Sequence, residues 1–388
     1  MKKVLAVLPD ESASSVLTVL NPLRHLAQQG KIQFDETLEA YALPSQVAWA
    51  DVIVACRNMQ PLYRPIFELA LQLTIPIIYV LDDNLFAVPE EDAFSQYYHH
   101  PDRQAQLAWI LQHASLVRVH SPVLANVVRP YNAHVKQVYA AVDWALVPET
   151  LPILDEHIAH MVYATSRTEG DPLFALIQPA LEMILEQFGD RVRLHLLGAS
   201  PNAEIQRFPQ VIHHPFERDY VTFFQKFTRA GYTIGLAPML DDLFYQCKTD
   251  VKFRDYASAG VAGIYSDSPL YSASVIHEQT GLLVPNETSA WVTALRRYIQ
   301  SPELVQTVRE NAKQVALTKY ALTEVTQAWL ADLESMPDPA PTADVTLPQR
   351  WTFTRSSSPL IKFLQKTYQR LIPFEWRIKL LNLRSKRP

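Results

Sequence analysis

Two lysines and an aspartate, Lys248, Lys252 and Asp255, carry the most pointed chemistry in the chain. Lys248 and Lys252 stand four residues apart and Asp255 three further on, the spacing of neighbours on one helix face. Ammonium groups beside a helix N-terminus hold anions well, because free backbone N–H groups and the helix dipole add to the side-chain charge. A carboxylate one turn deeper accepts hydrogen bonds from sugar hydroxyls. The set suits a nucleotide sugar, diphosphate on the lysines and ribose on the acid. An ordinary solvated helix face with an intrahelical Lys–Asp pair explains the same spacing.

The elements that would position these residues are legible on either side. The apolar run 232–238 reads as a buried strand, a polar loop follows over 239–249, and Val251, Phe253, Tyr256 and Ala257 recur at helical spacing up to a closing Gly260. Residues 261–265 form the next strand. A strand–loop–helix–strand unit puts its loop at the carboxyl edge of a parallel sheet, where open α/β sheets bind ligands. Upstream, the strand 159–164 runs into Thr165-Ser-Arg-Thr-Glu-Gly-Asp171, with Asp171 as N-cap and Pro172 at the first position of a helix to about residue 188. Thr165, Arg167, Thr168 and the loop glycine facing that helix start form either a diphosphate nest or simply a capped loop. Gly198-Ala-Ser-Pro201 is a turn after the strand 191–198.

In the first half, a strand over 4–8 leads through a serine-containing loop into a helix over 16–29. Ser12 and Ser14 offer hydroxyls and amides to a phosphate, or else cap that helix. The buried strand 75–81 ends in Asp82-Asp83-Asn84. Two carboxylates there fit an acceptor or catalytic edge, with turn capping as the alternative. His120, at the end of the strand 116–120, is read as a donor contact, an acid–base group or a structural histidine. No GxGxxG occurs and the chain has nine glycines in all, which disfavours a dinucleotide-dependent oxidoreductase. No metal site is expected: His213-His214 lacks further ligands at suitable spacing, and no His-Glu-x-x-His or Asp-x-Asp is found.

The order Pro238, Phe244, Lys248, Lys252-Phe-Arg-Asp-Tyr-Ala-Ser-Ala-Gly260, a strand ending Ser266-Asp267, and Thr280-Gly-Leu-Leu-Val-Pro285 resembles the donor half of the GT-B glycosyltransferases of family four. It is most similar to a bacterial branch with a Lys-Phe-x-Glu-Tyr-Ala-x-x-Gly signature. The resemblance covers about residues 1–335. It implies an α/β fold of two Rossmann-like domains whose parallel sheets face a central cleft: an acceptor domain over 1–150 and a nucleotide-sugar donor domain over 151–335, with 321–334 as a candidate crossover helix. It also implies metal-independent, configuration-retaining transfer of a sugar from a UDP- or GDP-linked donor, which is a co-substrate rather than a cofactor, to a lipid-linked or polysaccharide acceptor. Lys252, Lys248 and Arg167 would meet the leaving diphosphate, Gly198 would lie near the base, Asp255 would hold the ribose, and Asp82 or Asp83 would orient the acceptor or assist proton transfer. The chain departs from the pattern in places. Asp255 replaces the second of two glutamates and Cys247 the first, Thr168-Glu-Gly-Asp171 lacks a histidine, and Pro172 stands where the broader family has a lysine. A catalytically degenerate GT-B protein acting as a binding or scaffold subunit in polysaccharide assembly is therefore the alternative, and donor hydrolysis or epimerisation a weaker third.

The composition fits this reading. A chain of 388 residues with 48% hydrophobic and 19% charged content folds as more than one core. Two cysteines make no disulfide framework, consistent with a reducing cytoplasm. The short apolar start reads as a first strand rather than a signal peptide. The net charge of −5 is unevenly spread: the segment 351–388 holds nine Lys and Arg against one acid, Glu375. An acidic body with a basic tail argues against a nucleic-acid binder and for one end that meets an anionic partner. Past a proline-containing linker at 336–350, Lys362, Lys366 and Arg370 share one helical face and Leu360, Phe363, Leu364 and Leu371 the other. This basic amphipathic pattern over 359–388 fits the inner face of a plasma membrane, with packing on the body or a partner as the alternative.

Overall fold

The structure is a computed structural model that describes residues 1–90, 92, 95–152, 157–167, 170–340 and 345–353. Thr168 and the tail from residue 354 onward lie outside the described residues.

The chain divides into two compact units. The first comprises Met1–Val119, Leu124–Gln137 and residues from Ala328 on; the second comprises His120–Val123 and Val138–Gln327. The division on the C-terminal side falls inside the helix Leu322–Ser335.

The first unit holds strands β1 (Lys3–Leu8), β2 (Gln33–Leu38), β3 (Val52–Cys56), β4 (Ile77–Leu81), β5 (Leu116–Val119) and β6 (Val135–Gln137). They pair in parallel in the order β2-β1-β3-β4-β5-β6. β3 and β4 are buried at every position, the mark of a sheet covered on both faces. β2, Gln-Phe-Asp-Glu-Thr-Leu, is a half-exposed edge strand without the apolar run of its neighbours. The helix expected over 16–29 is interrupted: residues Val16–Leu20 form a π-turn before Asn21–Gln28 continues. The last part of the helix Leu322–Ser335 is tied in by Asp332, which accepts from buried Arg118 and from Lys136, while the Arg118 guanidinium lies 3.7 Å over the Trp329 ring.

The second unit repeats the design with β7 (Ala159–Ala164), β8 (Val192–Leu197), β9 (Val211–His214), β10 (Ile234–Ala237), β11 (Ala262–Ser266) and β12 (Leu282–Val284), ordered β12-β11-β10-β7-β8-β9 and all parallel. The helix Pro172–Phe188 starts on Asp171, whose side chain accepts from the Leu173 N–H, with Pro172 in the first turn. The helix Val251–Ser258 ends at Gly260, whose φ of 64° is the left-handed value that favours glycine.

One expectation is corrected. Lys248 does not share a helix with Lys252. Asp242 caps a separate one-turn helix, Leu243–Gln246, and Lys248 falls in the turn after it. The break is held by Asp250, 7% exposed, which accepts from Ser274 and Tyr320 and has Lys319 Nζ at 3.7 Å.

Candidate donor site in the second unit

The carboxyl ends of β7 and β8 lie side by side and carry the first half of the site. Thr165 follows β7, and its backbone N–H bonds the Leu197 carbonyl at the end of β8. Thr165 Oγ1 accepts from the Arg167 N–H at 3.1 Å, which folds the loop back on itself. Gly198 follows β8 with φ +84°, and a Cβ there would collide with the Thr165 carbonyl oxygen. Only glycine lets the two strand ends approach this closely.

Cations gather beside this loop. The Arg167 guanidinium lies 5.4 Å from the Tyr245 ring centre. Lys248 Nζ lies 6.0 Å from the same ring and 4.2 Å from the Phe244 ring. Tyr245 thus joins two cations that come from loops after different strands, within cation–π range. Lys252, in the first turn of the helix Val251–Ser258, is partly buried, and that burial lowers its ammonium pKa against the opposing pull of Asp255 and Asp171. Its Nζ has no hydrogen bond among the described residues.

Asp255 is 5% exposed and anchored through a single oxygen. Arg254 donates to Oδ1 from Nε at 3.0 Å and from Nη2 at 2.7 Å, and the Tyr220 hydroxyl donates to the same atom at 3.2 Å. Arg254 Nη2 also donates to the Tyr220 oxygen at 2.6 Å, and Nη1 reaches the Ala141 carbonyl at 3.4 Å. Burial works against the Arg254 charge, and Asp255 more than offsets it, so its pKa is raised. Oδ2 of Asp255 accepts no hydrogen bond among the described residues. The arrangement fixes a carboxylate rigidly and leaves one oxygen for a hydroxyl donor. Asp171, beside Lys252, is held by the Tyr163 hydroxyl at 2.6 Å as well as by its capping bond.

The structure thus gathers Thr165, Arg167, Gly198, Lys248, Lys252 and Asp255 on the carboxyl side of the second sheet. His120 and its neighbours are counted with this unit, and Ser121 Oγ donates to the Cys247 carbonyl at 3.0 Å, so His120, 4% exposed, stands next to the turn that carries Lys248. Sequence reasoning gave no role to Arg254, Tyr220 or Tyr245. Arg254 lay inside the quoted signature, but nothing local distinguishes a buried arginine from an exposed one.

The first unit has its own polar cluster at the carboxyl ends of β2, β3 and β4. Arg57 is a non-glycine residue at φ 58°. Its guanidinium bonds Asp82, and its Nη2 reaches Asp83 at 2.7 Å. Burial opposes the Arg57 charge and the two carboxylates more than compensate, holding its pKa well above the ordinary value. A left-handed non-glycine residue costs of order 1–3 kcal/mol and persists where its surroundings over-determine it. Beside it, Glu39 is 4% exposed and accepts from Asn58 Nδ2 at 2.7 Å; burial pushes its pKa up to about 8. The Tyr79 hydroxyl, buried nearby, has no hydrogen-bond partner among the described residues. Arg57, Asn58 and Glu39 were not foreseen. Ser12 caps the turn Ala13–Ser15, accepting from the Ser15 N–H, and the Ser14 carbonyl accepts from Thr18.

Among the described residues no group of three or more His, Cys, Asp or Glu side chains is placed to hold a metal ion. No helix among them is long and apolar enough to cross a membrane.

No family model matches the chain, and no curated protein matches it in sequence. Solved structures do match in fold. The Anabaena protein HepE, solved with UDP and glucose, is 16% identical at a TM-score of 0.60, covering 86% of this chain and 100% of its own. Sucrose-phosphate synthase from Thermosynechococcus elongatus is 12% identical at 0.62, over 86% and 98%. A glycosyltransferase from Rickettsia africae is 11% identical at 0.58, over the same shares. The fold is that of the GT-B glycosyltransferases.

Proposed function

We propose that the chain is a glycosyltransferase that moves a sugar from a nucleoside-diphosphate sugar to a glycan or lipid-linked acceptor. The observation that carries the reading is the convergence of Arg167, Lys248 and Lys252 beside an Asp255 carboxylate anchored through one oxygen. UDP-linked donors come first among the candidates, since the Anabaena neighbour was solved with UDP and glucose; GDP-linked donors come next. In the reaction the bond from the anomeric carbon to the diphosphate breaks, a bond to an acceptor hydroxyl forms, and the hydroxyl proton leaves with a phosphate oxygen or a carboxylate. The negative charge that develops on the leaving diphosphate is met by preorganised cations, which lower the barrier because they need no reorganisation. No metal is invoked for this step. Asp255 Oδ2 takes the ribose hydroxyls, and Gly198, with its loop closed on Thr165, leaves room for the base.

Asp82 and Asp83 are assigned to the acceptor. Their ion pair with Arg57 fixes one oxygen of each carboxylate, which suits them to orienting an acceptor. Retention of configuration follows from the family resemblance. The basic tail over 359–388 is read as a peripheral anchor on the inner face of a plasma membrane. A non-catalytic binding subunit is the second reading, favoured by Cys247, which is fully buried where the family has an acid. Release of UDP from UDP-glucose and UDP-N-acetylglucosamine, with and without lipid-linked acceptors, separates the two. Turnover abolished in Lys252→Ala supports the enzyme; donor binding without turnover under every acceptor supports the subunit.

A further inference from the structure

After Met1, the most exposed large apolar residue among those described is Leu62, at 59%. It lies in the 3-10 turn Pro61–Tyr63 of the first unit, a turn with no buried residue. Next to it the Tyr63 ring meets Phe353 edge-on at 5.2 Å, and Phe353 stacks with Trp351 at 5.7 Å. On the other side Arg64 lies 4.1 Å over the Trp109 ring. The result is a patch of leucine, tyrosine and tryptophan with an arginine at its margin, the side-chain mixture enriched where proteins meet lipid headgroups.

Described residues on both sides of 341–344 contact the first unit. The start of the segment expected as a linker contacts the first unit: Lys2 Nζ donates to the Met336 carbonyl at 2.8 Å and pairs with Asp338 at 2.6 Å, and the Ala340 N–H bonds Thr74 Oγ1 at 2.7 Å. Phe353, the last described residue before the basic sequence, packs on Tyr63. Residues 354–388 carry nine Lys and Arg against one acid. A weak apolar contact or a polybasic segment alone gives marginal membrane binding, whereas the two together give stable association.

We infer that the face bearing Leu62, Tyr63, Trp351 and Phe353 inserts into an anionic lipid surface, with the tail as its electrostatic partner. This rests on the membrane reading of the tail and makes the folded body, not the tail alone, part of the anchor.

The test uses the full chain with vesicles of phosphatidylcholine alone and of phosphatidylcholine with phosphatidylglycerol. Wild type should co-sediment with the anionic vesicles only. Leu62→Asp, at an exposed position, should bind them about tenfold more weakly, with its donor-induced thermal shift unchanged. Brominated lipid chains should quench wild-type tryptophan emission, and less so in Trp351→Phe. The triple change Lys362→Glu, Lys366→Glu, Arg370→Glu should abolish binding. If that triple variant loses binding while Leu62→Asp retains it fully, the tail acts alone and the face is refuted. If wild type binds neither vesicle, the face and the membrane reading fall together, whereas the donor shift reports independently on the enzyme. Binding to both vesicle types alike would also overturn the inference.

Discussion

Replacing Arg254 with methionine removes the partner of a buried carboxylate. Arg254 is 1% exposed and Asp255 5%, so neither charge has water to fall back on. The substitution deletes two charge-assisted bonds to Asp255 Oδ1 and one to the Tyr220 hydroxyl. Breaking a buried pair from one side costs about 3–5 kcal/mol, because the remaining charge stays desolvated and unpaired. That is a large share of the roughly 5–15 kcal/mol that holds a typical domain together. The assay is urea denaturation of wild type, Arg254→Met, Asp255→Leu and the double variant. The double variant, with both charges gone, should recover most of the stability lost in Arg254→Met, a coupling of about 2–3 kcal/mol in the cycle. It should still fail to bind donor, since the ribose carboxylate is missing. A cost below about 1 kcal/mol for Arg254→Met, or strictly additive single effects, would refute the view that Arg254 is the electrostatic support of Asp255.

Three further outcomes are expected. Glu39 has a folded-state pKa of about 8, raised by burial above its unfolded value near 4.5, so its contribution to stability is complete below pH 4.5 and declines, by on the order of a few kcal/mol, as pH rises to about 8. Glu39→Gln keeps the hydrogen bond from Asn58 and should flatten that decline in denaturation midpoints between pH 5 and 9; parallel curves for the two proteins would contradict it. Gly198→Ala places a Cβ against the Thr165 carbonyl at φ +84° and should cost about 1–3 kcal/mol while weakening donor binding, read by calorimetry. His195 bonds His160 at 3.0 Å and His214 at 3.1 Å, and burial with these neighbours and Arg193 lowers its pKa to about 4. The unfolded chain then binds the extra proton first, so stability should fall as pH drops from about 6.5 to about 4, and His195→Phe should reduce that slope.

The parallel sheets were readable because their inner strands are apolar at every position: β3, β4, β10 and β11 are buried throughout. β2 was missed because an edge strand needs only one buried face, and its Asp-Glu-Thr run reads as loop. Lys248 was placed on a helix because spacing alone does not show that Asp250 is pinned by Ser274 and Tyr320, which breaks the chain there. Lys252, Asp255, Arg167 and Gly198 were read as a group only through a resemblance to the GT-B glycosyltransferases of family four, from which Asp255 itself departs. Arg254, Arg57 and Glu39 were not, because what makes each of them matter is a partner brought close by folding or burial that no local window reports. For Arg254 the decisive contact is Tyr220, thirty-four residues away.

The most direct test of the donor-site assignment is a thermal shift with UDP-, GDP- and ADP-sugars on wild type and on Lys252→Ala. Donor at about 100 times its dissociation constant stabilises the folded state by about 2.7 kcal/mol, a readily measured shift. A shift with one nucleotide, UDP first, that disappears in Lys252→Ala is the predicted result. No shift with any of the three, or a shift of equal size in the variant, would contradict the assignment of Lys252 and its neighbours to the donor diphosphate.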